Sequence, residues 1–116
     1  MTKSSVKLIT NMEDCVFCKI IKGELPSTKV FEDEKVVAFE NIKPAAEIHT
    51  LIVPKKHVAT FMDLSDEMNA LVHAAQEVIK SKSVDSGYKL IVNGGKYQEV
   101  PHFHLHLLAG KLKTEI

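Results

Sequence analysis

The chain has 116 residues, 45% of them hydrophobic, and its 15 basic side chains balance 15 acidic ones. That size and apolar content suit one domain with its own core, and the zero formal charge argues against binding nucleic acid through a broad basic surface. No apolar run approaches the roughly 18 residues of a membrane-spanning helix, and a chain with two cysteines has no disulfide scaffold.

Residues 1–13 lack the apolar core of a signal peptide and read as a disordered tail ahead of a single domain over 14–116. A cytoplasmic protein is the expectation. Asp14 to Gly23 reads as a short helix, with Asp14 to cap it, Gly23 to end it, and Val16, Phe17, Ile20 and Ile21 as its apolar stripe. The same stretch carries Cys15 and Cys18 as Cys-x-x-Cys. A redox pair of this type follows a strand, and none precedes it here. Two readings stay open: a pair of buried thiols, or half of a zinc site that needs two more ligands.

Thr28–Glu32 and Lys35–Phe39 form an expected hairpin around Asp33-Glu34. Asn41-Ile42-Lys43-Pro44 is a turn, and Glu47–Val53 a strand interrupted by His49. Pro54-Lys55-Lys56-His57 closes it. Asp63 or Ser65 should cap one long helix running to about Lys82, where Met68, Leu71, Val72, Ala75, Val78 and Ile79 keep helical spacing. Tyr88–Val92 is another strand, and Asn93-Gly94-Gly95-Lys96 a loop without the phosphate-binding pattern of a P-loop. Helix, strands, long helix and two strands in that order predict an antiparallel sheet with helices on one side, the α+β class.

Pro101-His102-Phe103-His104-Leu105-His106-Leu107-Leu108 dominates the reading. Histidine alternates with apolar residues at the period of a half-buried strand, so His102, His104 and His106 share one face, about 6.5–7 Å apart. A polar surface, a metal site and a catalytic cluster compete as explanations. Strand spacing makes it awkward for all three rings to reach one ion. Catalysis, with one imidazole as nucleophile or base and its neighbours orienting it, fits better.

His102–Leu108 matches His-x-His-x-His-x-x with apolar residues at each x. With it come Cys-Val-Phe-Cys-Lys-Ile-Ile, Val-Phe-Glu-Asp-Glu, Ala-Phe-Glu-Asn-Ile-Lys-Pro and His-Thr-Leu-Ile-Val-Pro-Lys-Lys-His. In these blocks, from about Asp14 to Gly110, the chain resembles the histidine-triad (HIT) nucleotide hydrolases and transferases. The ending His-Leu-Leu-Ala-Gly-Lys looks like the Hint, or protein kinase C inhibitor-like, branch. The resemblance implies a five-stranded antiparallel sheet with one long and one short helix, continued across a homodimer. It also implies a purine nucleoside phosphoramidate hydrolase working through a nucleotidyl-histidine, with no catalytic metal, no nucleic acid and no membrane partner.

By the same resemblance His104 is the nucleophile, and His102, His106 and His49 belong to its catalytic network. Val16, Phe17, Ile20 and Ile42 match the purine slot, while Asn41 stands where an acidic residue commonly holds the ribose. Asn93, Gln98 and Glu99 fall beside the phosphate. Some relatives with both cysteines bind structural zinc, which implies Cys15, Cys18, His49 and His102 as ligands. Tyr97 and Pro101 depart from the family pattern; Tyr97 either narrows the leaving-group side or points to solvent. The alternatives are a nucleotide- or partner-binding module with vestigial activity, and a dinucleoside polyphosphate hydrolase.

Overall fold

Val36 and Ala38 alternate with Val37 and Phe39 along one strand, and all four are buried, so this strand is covered on both faces. The computed structural model, which describes residues 14–113, shows what covers them. Five strands, β1 (Lys29–Glu32), β2 (Val36–Glu40), β3 (Ala46–Pro54), β4 (Lys89–Val92) and β5 (Leu105–Leu112), form one antiparallel sheet in the order β1-β2-β3-β5-β4. The expected 1–13 tail lies outside the described residues.

The long helix, α2 (Glu67–Lys82), buries Leu71, Ala74, Ala75, Val78 and Ile79 against Val36, Ala38, Ile52, Phe103, Leu105 and Leu107. Removing a side chain such as fully buried Leu71 from water stabilises the fold by about 1.5–3 kcal/mol. Val72, on the expected stripe, is instead 45% exposed. The short helix, α1 (Val16–Ile21), lies on the opposite face, where Phe17, Cys18 and Ile20 pack with Val37, Phe39, Leu51 and Val53. The helices therefore sandwich the sheet and do not share one side, because β2 and β3 carry apolar residues at odd and even positions alike.

Local chemistry sets the joints. Asp33 Oδ1 accepts from the backbone N–H of Lys35 and of Val36, both at 2.8 Å, and turns β1 into β2. Gly23, at φ 83°, ends α1 as expected. The cap of α1 is Cys15, whose Sγ accepts from Cys18 N–H, and not Asp14. Nor do Asp63 or Ser65 cap α2: its N-cap is Asp66, and Asp63 instead accepts from Thr60 in a short 3-10 turn.

β5 begins at Leu105, so the segment carrying His102 and His104 precedes the regular ladder. Its side chains keep the expected alternation. Phe103, Leu105 and Leu107 face α2. The rings of His102 and His104 meet Phe17 of α1, and the ring of His106 lies edge-on to that of His104.

Candidate active site and candidate metal centre

The α1 face of the sheet holds two histidine groups that meet at His102. The first is a ring array of His104, His106 and His49. β3 and β5 place Leu51 opposite His106 and His49 opposite Leu108, so His49 and His106 are diagonal neighbours on one face. His49 Nε2 lies 2.9 Å from His106 Nδ1, and the His104 and His106 ring centroids are 4.8 Å apart.

Hydrogen bonds to the backbone decide which nitrogen carries each proton. His104 Nδ1 lies 2.8 Å from the carbonyl oxygen of His102. A carbonyl only accepts, so Nδ1 is protonated and Nε2 keeps its lone pair. At the other end, the backbone N–H of Ala45 donates to His49 Nδ1 at 2.9 Å. His49 must then carry its proton on Nε2 and donate it to His106 Nδ1, which leaves the His106 proton on Nε2. Two adjacent imidazoles thus differ in character: His104 offers a lone pair and His106 offers an N–H. That pairing can attack an electrophilic centre and stabilise the charge that develops on it.

Burial favours the neutral form of these rings. Desolvation lowers the pKa of His104, opposed by its bond to the His102 carbonyl and by the nearby charge of Glu99. His106 is pushed down to about 4, by burial first and then by repulsion from His104 and His49. His49 is lowered by burial and by His104, with Glu40 opposing. A nucleophilic imidazole must be unprotonated, and this site secures that by exclusion of water.

The remaining sequence-predicted residues divide. The ring of Phe17 stands edge-on to that of His104, centroids 5.0 Å apart. Side-chain amides of Asn41 and Asn93 lie 3.3 Å from His49 Nε2 and 3.4 Å from His106 Nε2. Val16 is partly exposed, and Ile42 is 91% exposed at the surface. Ile20 is core, packed among Val37, Phe39 and Val53. Gln98 ties its loop down: its Nε2 donates to the carbonyls of Ala59 at 2.6 Å and Val100 at 3.0 Å. Glu99 is exposed and acts on His104 through its charge. Tyr97 is 68% exposed, with Lys96 Nζ 5.4 Å from its ring centroid, so its ring does not fill the site.

The second group consists of Cys15, Cys18, His57 and His102, whose ligand atoms all lie within 4.8 Å of one another. His102 Nδ1 is 3.3 Å from Cys15 Sγ and 3.5 Å from Cys18 Sγ, and His57 Nδ1 is 3.2 Å from Cys18 Sγ. These are close to the edges of a tetrahedron with Zn–S of about 2.3 Å and Zn–N of about 2.0–2.1 Å. His102 Nε2 donates to the carbonyl of Pro54 at 2.8 Å, so Nδ1 turns its lone pair toward the thiols, as a metal ligand must. Burial, then Cys15, push the Cys18 thiol up to about 12. A divalent cation is the partner that would hold it as thiolate.

This set corrects the ligands expected from sequence: His57 takes the place of His49. The β3–β5 register is the reason. His49 opposes Leu108, six residues along β5 from His102, which at strand rise is about 20 Å. Continued past the ladder's end, the same register brings His102 alongside the Pro54–His57 corner. Two further donors demanded by Cys-x-x-Cys were the signal available in the sequence; the register needed to choose between histidines was not.

The family model described as HIT domain matches residues 22–113. The chain is 42% identical over 104 residues to the 14 kDa zinc-binding protein of Zea mays, covering 83% of this chain and 81% of that one. It is 43% identical over 97 residues to adenosine 5'-monophosphoramidase HNT1 of Saccharomyces cerevisiae, covering 81% and 61%. A HIT family hydrolase from Clostridium thermocellum superposes with a TM-score of 0.82 at 44% identity, over 86% of this chain and 93% of that one.

Proposed function

This chain belongs to the HIT family, and from that premise we propose that it hydrolyses purine nucleoside phosphoramidates through a nucleotidyl-His104 intermediate. The observation that carries the reading is the 2.8 Å bond from His104 Nδ1–H to the His102 carbonyl, which commits Nε2 as the nucleophilic atom. Nε2 attacks the α-phosphorus, the P–N bond breaks, and the nitrogen leaves as an amine with one proton drawn from solvent. Water then attacks the same phosphorus, the P–Nε2 bond breaks, and the proton water gives up returns to solvent. His106 Nε2–H faces the phosphoryl oxygens as their charge grows, with its proton held on that nitrogen by His49. Phe17, Val16 and Ile42 flank the base, and Asn41 and Asn93 supply amides near the ribose and phosphate.

Cys15, Cys18, His57 and His102 suit a structural zinc, in keeping with the zinc-binding maize relative. When bound there it would tie α1 to the far end of β3 and to the triad segment, without touching the phosphoryl group. The same reading includes a homodimer. β4 is an open sheet edge, and its Leu90 and Val92, 46% and 45% exposed, lie on the α2 face of the sheet; a second β4 would cover both edge and side chains. Among the described residues no helix is long and apolar enough to cross a membrane, and two free thiols fit the reducing cytoplasm.

Turnover of adenosine 5'-phosphoramidate by the wild type and by His104→Ala tests the proposal. Loss of well over a hundredfold is expected, since removal of a nucleophile costs about that or more. A variant keeping more than about a hundredth of the activity would refute it. The same assay on a dinucleoside polyphosphate should give the slower rate.

A further inference from the structure

His102 belongs to both histidine groups, through different atoms. Its ring Nδ1 is a member of the four-donor cluster, while its backbone carbonyl holds the Nδ1 proton of His104. The residue is fully buried and its ring is pinned at both nitrogens, by the thiols on one side and the Pro54 carbonyl on the other. A second path runs in parallel. Phe17 sits on α1 between Cys15 and Cys18, and its ring packs edge-on against both His102 and His104, at centroid distances of 5.8 and 5.0 Å. Whatever fixes the two cysteines fixes Phe17 as well.

We infer that the Cys15–Cys18–His57–His102 cluster is a positioning device for His104, so that filling it with a divalent metal selects the reactive tautomer and orientation of a ring the metal never touches. Emptying the cluster releases the His102 ring at Nδ1, leaving only the Pro54 carbonyl to hold it, lets its carbonyl turn, and loosens α1 with Phe17. Both restraints on His104 then relax together. Metal occupancy acts on kcat through the His104 ring, and on substrate affinity only to the extent that Val16 and Phe17, the α1 residues that flank the base, move with the cysteines. The inference rests on His104 as the nucleophile, and its test has one arm that needs no substrate.

That arm is the long-range proton–nitrogen NMR spectrum of the His104 ring in 15N-labelled protein, loaded with zinc and after chelation. Loaded protein should show a single tautomer protonated at Nδ1. Stripped protein should show averaging of the two tautomers, reversed by added zinc. In the activity arm kcat should fall by about 10–100-fold on stripping, the scale seen when an orienting neighbour is lost, with a smaller rise in KM from the loosened Phe17. Circular dichroism is recorded alongside; if stripping unfolds the chain, the spectrum is taken on His57→Asn, which weakens the cluster at the one donor outside both the α1 segment and the triad segment. Identical His104 spectra in loaded and emptied protein would overturn the inference. So would a loss of activity expressed in KM alone. A loaded protein that shows the tautomer switch but never turns over a phosphoramidate would instead refute the proposed function and leave the positioning intact.

Discussion

Replacing His49 with alanine separates the two histidine groups, because sequence reasoning put His49 in both and the structure puts it in one. The substitution removes the acceptor for the Ala45 N–H and the donor that holds His106 in its Nε2–H form. An unmade buried hydrogen bond costs about 1–3 kcal/mol, and the small cavity left by a nearly buried ring adds to it, so the melting temperature should fall measurably. The effect on rate comes from His106, whose proton is no longer committed to the nitrogen facing substrate. Loss of such an orienting partner predicts a drop in kcat of about 10–100-fold, with KM little changed because His49 is one ring removed from the ligand. Zinc content per chain should stay at the wild-type value, whereas His57→Ala should lower it; metal analysis and steady-state kinetics on the two variants give all three numbers. Full kcat in a folded His49→Ala protein would refute the tautomer chain. Loss of zinc in that variant would refute the ligand assignment.

Stability should fall as the solution is acidified. His106 has a folded pKa of about 4 against an ordinary 6.5, so between those values the unfolded chain takes up a proton that the folded one refuses, and the contribution present above pH 6.5 drains away toward pH 4. Thermal melts at pH 7.5 and 5 should show a smaller difference in His106→Asn than in the wild type; equal differences would discount the buried ring. Leu90→Glu should dissociate the dimer, read by light scattering as a shift to the 12.9 kDa of one chain, and a wild type already at that mass would remove the dimer from the reading. Tyr97→Gly should affect bulky and small leaving groups equally, because the ring is mostly in solvent; a selective gain for bulky amines would mean that it swings inward.

Periodicity carried most of the fold. The β1–β2 turn at Asp33, the α2 stripe from Leu71 to Ile79 and the two-faced triad segment all follow from spacing that any single sequence displays. What spacing cannot supply is which layer an element joins. The continuous apolar run in β2 calls for cover on both faces but does not say that α1 supplies one and α2 the other, and Val72 sits on an apolar stripe yet is 45% exposed. The site shows the same division. His104 stands out by its place in the triad, and the opposed tautomers of His104 and His106 depend on two backbone groups, the His102 carbonyl and the Ala45 N–H, that have no sequence signature. His57 closed a strand in the linear reading; only the pairing register brings it to the cysteines.

The late start of β5 has its own consequence. Within a ladder each carbonyl of a central strand is claimed by a neighbour's N–H, and the strand between β3 and β4 has neighbours on both sides. Pairing begins only at Leu105, while Phe103 N–H is taken by the Val58 carbonyl at 2.6 Å outside any strand. The His102 carbonyl is thereby left over for an imidazole. Sheet and nucleophile compete for one oxygen, and each residue of extra pairing toward Pro101 would bring the ladder closer to taking it. Pro101, which has no N–H to offer a ladder, guards that boundary from the sequence side. Substitutions that raise strand propensity across 101–104, the obvious route to a more stable sheet, would therefore trade the reactive imidazole for order.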